Sequence, residues 1–266
     1  MAIDALPADG PALIGPVPLL SGKRIAAGHA DGEPVAWATS EPVPDAGLAW
    51  QALSAVHLET GLVPILISGL DDHGTRPWDD GDFGGPADLD QLGRIDAAVV
   101  LGNAWGDAKP GTEDEEGDRH LADRRAPFGR TFPGLAPAEN DEITAAELHE
   151  VLTALPPRRL ALVPAGRPAD VLALLGWNGA VSSWDDPTPP AAVLRSWEAR
   201  FGARLLEVGF RSISVLASRP PRDLSAAQLV AAEHQAFCDR CGDGLVSIAD
   251  IGARILSSPV WSFSWD

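Results

Sequence analysis

Tyrosine is absent from this chain of 266 residues, methionine occurs once and cysteine twice. Without tyrosine, no phenolic hydroxyl can act as a catalytic acid, base or nucleophile. Two cysteines are too few for the disulfide framework of a small secreted domain. No apolar run approaches the ~20 residues that cross a bilayer, and the first residues lack the basic and apolar regions of a signal peptide. We therefore expect a cytoplasmic protein.

Basic residues are scarce in one part of the chain only. Residues 1–157 carry 27 Asp and Glu against 9 Lys and Arg, whereas residues 158–266 carry 11 of each. The net charge of −18 therefore lies entirely in the N-terminal part. Because a field of that sign repels phosphate groups, we expect neither nucleic acid nor an anionic membrane as a partner. A basic protein partner is favoured, although solubility is the commoner reason for such charge.

The most informative pattern lies in the last six residues. Trp261, Phe263 and Trp265 alternate with Ser262 and Ser264, and this period of two predicts a strand with one aromatic face. Chain ends fray unless they dock, and aromatic side chains bury large areas. We therefore expect this strand to be an integral part of a sheet.

Hydrophobic spacing, together with the positions of Pro and Gly, predicts the other elements. Helices are expected at residues 45–60, 143–155, 168–175, 190–201, 225–238 and 248–256. Single strands are expected at 35–39, 62–68, 95–101 and 160–163, and an antiparallel hairpin at 205–210 and 212–217. This mixture predicts an α+β fold, in which helices pack on a mixed sheet that includes the hairpin and the C-terminal aromatic strand.

The segments between these elements are expected to be irregular. Residues 1–34 are rich in Pro and Gly and read as a lead-in, residues 71–90 as a long loop, and residues 102–142 as an acidic, mobile linker. Pro64 lacks a backbone N–H, which favours either an edge position for the strand at 62–68 or an early start of that strand.

Three segments resemble the bacterial DUF4253 domain, which is common in actinobacteria. They are residues 191–204 around Trp197, residues 232–238 around His234, and the aromatic tail at 257–266. The resemblance covers roughly residues 158–266, and residues 41–70 look like the usual upstream part of such proteins. The resemblance implies a DUF4253-like domain at 158–266, and the charge and loop pattern indicate an acidic N-terminal α/β region with long loops at 1–157. The family has no established activity, so the resemblance implies no site.

His234, Cys238 and Cys241 form the best candidate for a chemical site. Their H-x3-C-x2-C spacing places them on one helical face if the helix persists, and an imidazole with two thiolates is a partial zinc set. Zinc would need a fourth ligand, such as a distant His, an Asp or water. A redox pair is a second interpretation, and a packed helix end with ordinary thiols is the commonest one.

Assembled catalytic motifs are missing from the rest of the sequence. The acidic group around Asp79 and Asp82 lacks the spacing of an EF-hand loop. No G-x-S-x-G elbow and no glycine-rich phosphate loop is found. These absences favour a protein without catalytic activity.

Three tryptophans lie in polar segments, at Trp78, Trp105 and Trp184. Tryptophan is a favoured anchor of protein interfaces, so these residues are candidates for an interaction surface, although each also suits ordinary loop packing.

The sequence as a whole favours a non-catalytic protein-binding module with a regulatory or toxin-neutralising role and no cofactor. The alternative is a metal-binding protein or hydrolytic metalloenzyme that holds zinc through His234, Cys238 and Cys241.

Overall fold

The computed structural model describes residues 6–28, 32–70, 76–107, 121–238 and 246–265. Its strands, numbered along the chain, are β1 (Ala12–Ile14), β2 (Val17–Leu19), β3 (Gly22–Ala26), β4 (Pro34–Thr39), β5 (Leu62–Ile67), β6 (Arg159–Pro164), β7 (Ala203–Val208), β8 (Ser212–Ala217) and β9 (Val260–Ser264). Its helices are α1 (Ala46–Ala55), α2 (His57–Thr60), α3 (Leu89–Leu92), α4 (Ala97–Asp107), α5 (Ala145–Thr153), α6 (Val171–Leu175), α7 (Thr188–Phe201), α8 (Leu224–Phe237) and α9 (Ile248–Ser257).

Seven strands form one sheet in the order β3-β4-β6-β5-β7-β8-β9. The pairing of β5 with β7 is parallel, and the other neighbours are antiparallel. Strands β1 and β2 form a separate hairpin. The predicted α+β class and the β7–β8 hairpin are therefore confirmed. Strand β6 lies between β4 and β5, so residues before and after position 158 share one sheet.

The sheet is covered on both faces, and the alternation of side chains along each strand assigns them to two clusters. Ile65, Val163 and Val215 face a cluster that includes residues of α7 and α8. The neighbouring residues Leu66 and Leu162 face a second cluster that includes Trp50 and Leu53 of α1 and Leu152 of α5. Because successive strand residues point to opposite faces, near-continuous apolar strands are needed to fill both cores.

The expectation that residues 1–34 form an irregular lead-in was wrong. The described part of this segment contains β1, β2 and β3, and β3 is an edge strand paired with β4. Local Pro and Gly content suggested irregular backbone, but pairing with a distant strand supplies the hydrogen bonds that hold β3 extended.

The strand expected at residues 95–101 is instead the start of helix α4. Asp96 caps it: its carboxylate accepts the N–H of Ala98 at 2.7 Å, and its carbonyl accepts that of Val100 at 3.0 Å. Leu101 is buried, whereas Val99 is 57% exposed. A short apolar run cannot distinguish a strand from a buried helix by its period alone, and here the longer helix continues to Asp107.

Of the two alternatives for Pro64, the edge position is wrong. Strand β5 lies inside the sheet, and its parallel pairing with β7 is formed only at Leu66 and Ile67, beyond the proline. The linker expected at 102–142 begins inside α4, and Phe132 and Leu135 from its second half pack on the core. Residues 108–120 of that segment lie outside the described residues.

Among the residues that the structure describes, no helix is both long enough and apolar enough to span a membrane.

Candidate functional site

The C-terminal strand forms the centre of an aromatic cluster. Trp261, Phe263 and Trp265 are 3%, 2% and 3% exposed, so the predicted aromatic face is confirmed as a buried face. The ring of Phe263 stacks on Trp197 of α7, with 5.3 Å between centroids and 18° between planes. Phe237 of α8 contacts both Phe263 and Trp265 edge to face. Aromatic pairs of this geometry stabilise the docked chain end beyond their area burial.

His234 of α8 lies inside this cluster. Its ring centroid is 5.1 Å from Trp197, 4.8 Å from Trp261 and 4.9 Å from Phe263. Burial lowers the pKa of His234 from 6.5 to about 3, so the imidazole is neutral at physiological pH. Its Nε2 atom is buried and has no hydrogen-bond partner among the described residues. An unsatisfied buried polar atom of this kind costs about 1–3 kcal/mol.

His234 is among the residues that line a cavity of 190 Å³ between α9 and β9. The other lining residues, which are mostly apolar, are Val246, Ile251, Arg254, Ile255, Val260, Trp261, Ser262 and Phe263. The volume is smaller than the roughly 300–1,000 Å³ of pockets that hold drug-sized ligands. We call this space the His234 cavity.

Helix α9 is positioned by its first turn. Ser247 Oγ accepts the N–H of Asp250 at 3.2 Å, and the Asp250 carboxylate accepts the N–H of Ser247 at 3.3 Å. This reciprocal capping box fixes where the helix begins. Ile251 and Ile255, four residues apart, then lie on one face toward the cavity, with Arg254 beside them.

A second cavity of 370 Å³ adjoins the first, and the two share Arg254, Ser262 and Phe263. Its other lining residues are mainly polar: Glu207, Ser212, Ile213, Ser214 and Ser264. Arg254 thus borders an apolar space on one side and a serine-lined space on the other. We call the two cavities together the β9 groove.

Among the strands that the structure describes, β9 is the last of the sheet and pairs with β8 alone. The N–H of Trp265 donates to the Arg211 carbonyl at 2.9 Å. In an antiparallel ladder every second residue bonds to the partner strand, so Phe263 does the same and the backbone groups of Ser262 and Ser264 face away from β8. Within the described ranges, Ser262 has no backbone partner on that side. As far as the described residues show, the groove therefore borders an edge at which the backbone N–H and C=O of Ser262 are unpaired.

Glu233, next to His234 in the sequence, forms a buried hydrogen-bond network with Trp197 of the aromatic cluster. It is 0% exposed and accepts hydrogen bonds from Arg200 at 2.7 and 2.6 Å and from Trp197 Nε1 at 2.8 Å. The N–H of Ala136 donates to it at 2.7 Å. The buried carboxylate is thus paired and hydrogen-bonded, as burial of a charge requires. This network holds the helix that carries His234.

The structure brings together only part of the metal set predicted from the sequence. Cys238, at the end of α8, is 2% exposed and engaged in a disulfide, with its Sγ 3.3 Å from the Ser264 carbonyl oxygen. A disulfide sulfur is not the thiolate that zinc requires. Cys241 lies outside the described residues. Among the residues described, no three His, Cys, Asp or Glu side chains are grouped so that they could hold a metal ion.

Two of the three tryptophans proposed for an interaction surface are not at the surface. Trp78 is fully buried, and its Nε1 donates to the Val208 carbonyl at 3.1 Å. Trp105 is 1% exposed, and the Cζ atom of the Arg125 guanidinium lies 4.1 Å from the centroid of its ring. Both segments look polar in sequence, but each folds its indole into the core. Trp184 is half-buried, and its Nε1 donates to the Phe237 carbonyl at 3.3 Å.

Sequence reasoning missed Arg254 and the β9 groove. The capping residues and the apolar spacing of residues 248–256 predict the helix, and the alternation at 261–265 predicts the strand. Neither pattern contains the gap between them, because that gap depends on how α9 packs on α8.

Comparisons with known proteins identify one domain. Residues 159–266 match the family model described as a domain of unknown function, DUF4253. The match begins with β6 and contains every residue that lines the β9 groove. No curated protein matches the chain. No solved structure matches it either.

Proposed function

We propose that this protein is a non-catalytic protein-binding module and that the β9 groove is its binding site. The observation that carries the proposal is the outward-facing backbone of Ser262, which is unpaired among the described residues and lies between two cavities. A cavity of 190 Å³ suits one side chain better than a whole small-molecule ligand. A partner that inserts a side chain there would also reach the free backbone of β9.

Strand addition is the binding mode that fits this edge. In that mode an extended segment of a partner hydrogen-bonds to an exposed edge strand, and pockets beside the edge accept some of its side chains. Ser262 presents its N–H and C=O outward, and cavities lie next to it on both sides of Arg254. The main-chain bonds would give affinity, and the cavities would give specificity.

The chemistry of His234 supports a binding role over a catalytic one. A group whose pKa is about 3 is a weak proton acceptor near neutral pH, and as a neutral ring it is not the imidazolium needed for a general acid. Cys238, the other reactive side chain nearby, has its sulfur in a disulfide. Both residues therefore act here as packing groups or as hydrogen-bonding partners.

The charge distribution supports a partner that is basic overall. The 27 acidic residues of positions 1–157 produce a negative field that would steer such a partner toward the protein. Neutralisation of a basic toxin, or regulation of a basic protein, would use this field. The resemblance to DUF4253 supports an actinobacterial source, and the cytoplasmic location is part of the same proposal.

The test is a selection of random displayed peptides on the purified protein, followed by titration of the enriched peptides against two variants. Ser262→Pro removes the outward N–H, whereas Ser262→Ala keeps it, and both lose the 2.9 Å contact with Ser214 Oγ. Enriched peptides should bind Ser262→Ala like the wild type and Ser262→Pro at least about tenfold more weakly.

Two results would overturn the proposal: no peptide enriched above an unrelated control protein, or equal affinity for the two variants. Because the N–H of Ser262 faces away from β8, the proline should leave the sheet intact. Thermal unfolding of the Ser262→Pro variant checks that the sheet is intact. If Ser262→Pro unfolds, Ser264→Pro and Ser264→Ala repeat the comparison at the next outward position.

A further inference from the structure

We infer that Cys238 and Cys241 form a reversible thiol–disulfide switch that controls the contact between helix α8 and strand β9. In the disulfide state the sulfur of Cys238 offers no hydrogen to the Ser264 carbonyl oxygen, and in the dithiol state it donates one. The inference adds redox regulation to the edge strand of the proposed function, and its two structural readouts need no binding partner.

Cys238 is the member of the pair that the structure describes. Its sulfur is engaged in a disulfide, and the chain contains only one other cysteine, Cys241. A disulfide within one chain therefore joins these two residues, although Cys241 itself lies outside the described residues. In the cytoplasm, which is the proposed location of this protein, disulfides are usually transient and serve catalysis or redox sensing. The C-x2-C spacing thus favours reversible exchange within one chain.

The sulfur of Cys238 lies against the outer side of β9. Its Sγ atom is 3.3 Å from the carbonyl oxygen of Ser264. The N–H of Trp265 bonds toward β8, so the neighbouring residue Ser264 turns its C=O away from that strand. A thiol is a weak hydrogen-bond donor, whereas a disulfide sulfur carries no hydrogen. The contact is therefore a hydrogen bond only in the reduced protein.

The position of Cys238 places this change where α8 meets the end of β9. The N–H of Cys238 donates to the His234 carbonyl at 2.9 Å, and the residue is 2% exposed. The preceding residue, Phe237, packs edge to face on Trp265, with 5.4 Å between ring centroids. In the oxidised state the Ser264 carbonyl is available to an N–H of an added strand, and in the reduced state the thiol competes with that N–H.

The switch is a two-electron exchange with a small-molecule thiol such as glutathione. When glutathione disulfide oxidises the pair, an S–S bond forms between Cys238 and Cys241 and the S–S bond of glutathione breaks. The two electrons and two protons of the cysteine thiols end on two molecules of reduced glutathione. An excess of reduced glutathione reverses the reaction through a mixed disulfide.

A competing explanation is a structural disulfide that staples the end of α8 and does not exchange. The low exposure of Cys238 favours that explanation, because a thiolate must reach a sulfur atom to attack it. Structural disulfides resist reduction by the glutathione pool, whereas regulatory ones are reduced by it. A redox titration separates the two explanations.

The first readout is the number of thiols per chain. Purified protein is equilibrated without oxygen in mixtures of reduced and oxidised glutathione, quenched in acid, alkylated, and weighed by intact mass spectrometry. Two thiols are expected at the reducing glutathione ratio of the cytoplasm, and none in excess glutathione disulfide. A disulfide that persists at the reducing ratio, or thiols that persist in the oxidising mixture, would overturn the inference. The Cys241→Ser variant is the control and should form no internal disulfide.

The second readout is the ¹³C chemical shift of the Ser264 carbonyl, which moves downfield when a donor bonds to the oxygen. Reduced wild type and Cys241→Ser, both in dithiothreitol, should share the downfield position. Oxidised wild type and Cys238→Ala should lie upfield of both, because neither offers a hydrogen to the oxygen. A single position for all four proteins would show that the sulfur does not control the contact. The wild-type pair decides the outcome if the alanine variant does not fold.

Peptide binding connects the switch to the proposed function, and this consequence alone rests on it. Peptides enriched in the selection should bind oxidised wild type about two- to fivefold more tightly than reduced wild type. Equal affinity for the two states would overturn the regulation of the edge strand. If no peptide is enriched, the proposed function fails, and the thiol count and the Ser264 carbonyl shift still decide whether the switch exists.

Discussion

Trp197 of α7 and Glu233 of α8 are joined by a hydrogen bond of 2.8 Å between the indole Nε1 and the carboxylate Oε2, although Glu233 is 0% exposed. The same indole ring stacks on Phe263 of β9 and touches His234. This hydrogen bond therefore links α7 to α8 directly beside the aromatic cluster. The position of the His234 cavity depends on this pair.

Replacing Glu233 by alanine should strongly destabilise the protein. The change leaves the Arg200 guanidinium, whose side chain is 14% exposed, without its carboxylate, and it leaves the Trp197 N–H unpaired. Loss of one partner of a buried pair costs about 3–5 kcal/mol in the free energy of unfolding. Urea unfolding measures this loss of unfolding free energy. The control is Glu142→Ala at an exposed position, whose free energy of unfolding should lie within about 0.5 kcal/mol of the wild-type value. Similar values for both variants would show that the pair is not buried as described.

Two glycine-to-alanine changes should have opposite effects. A Cβ on Gly47 of α1 would lie 2.2 Å from the Leu152 carbonyl oxygen of α5, whereas one on Gly106 of α4 would meet no atom of the described residues within 4 Å. Overpacking should cost Gly47→Ala about 1–3 kcal/mol. Gly106→Ala should gain about 0.5–1 kcal/mol from helix propensity. Thermal unfolding of the two variants measures the difference, and a neutral Gly47→Ala would contradict the close packing of α1 on α5.

The stability of the wild type should depend on pH through His234. The folded state keeps the ring neutral because burial lowers its pKa to about 3, whereas the unfolded ring takes up a proton below 6.5. Stability is therefore greatest above pH 6.5 and falls between pH 6.5 and about 3, by about 1.4 kcal/mol per pH unit. Urea unfolding at pH 7 and pH 5 should show this loss for wild type but not for His234→Leu. Parallel pH profiles of the two proteins would place His234 in water.

Untagged protein should contain far less than one zinc per chain. Nε2 of His234 is buried, and Cys238 offers a disulfide rather than a thiolate. Elemental analysis should be carried out both as purified and after reduction, since reduction would restore the thiols. One zinc per chain with masked thiols would restore the metal site of His234, Cys238 and Cys241.

Much of the secondary structure follows from local patterns. The alternation of Trp261, Phe263 and Trp265 with serine predicts both the strand and its buried face, and the capping box of Thr144 and Glu147 marks the start of α5. These signals lie within a few residues of each other, so they survive in any tertiary context. They predict where an element is, and which of its faces is apolar.

Other features depend on residues far apart in the sequence. Helix α4 begins with the run Ala97 to Leu101, whose strand-like composition is overridden by its packing on the core. Strand β3 depends on its pairing with β4, and Trp78 is buried because it reaches Val208, 130 positions away. No local pattern records contacts of this range, because they stabilise the protein only after distant parts of the chain have come together.

The sequence alone determined the α+β class, the resemblance to DUF4253, the uneven charge and the aromatic face of the last strand, because each depends on composition or on the spacing of near neighbours. The tertiary structure alone decided that His234 and Arg254 border one cavity beside an unpaired edge. Those residues come from different helices, and the space between them exists only because α9 packs on α8 and leaves a gap to β9. A cavity is defined by where side chains fail to meet, and a linear pattern of residues does not encode that.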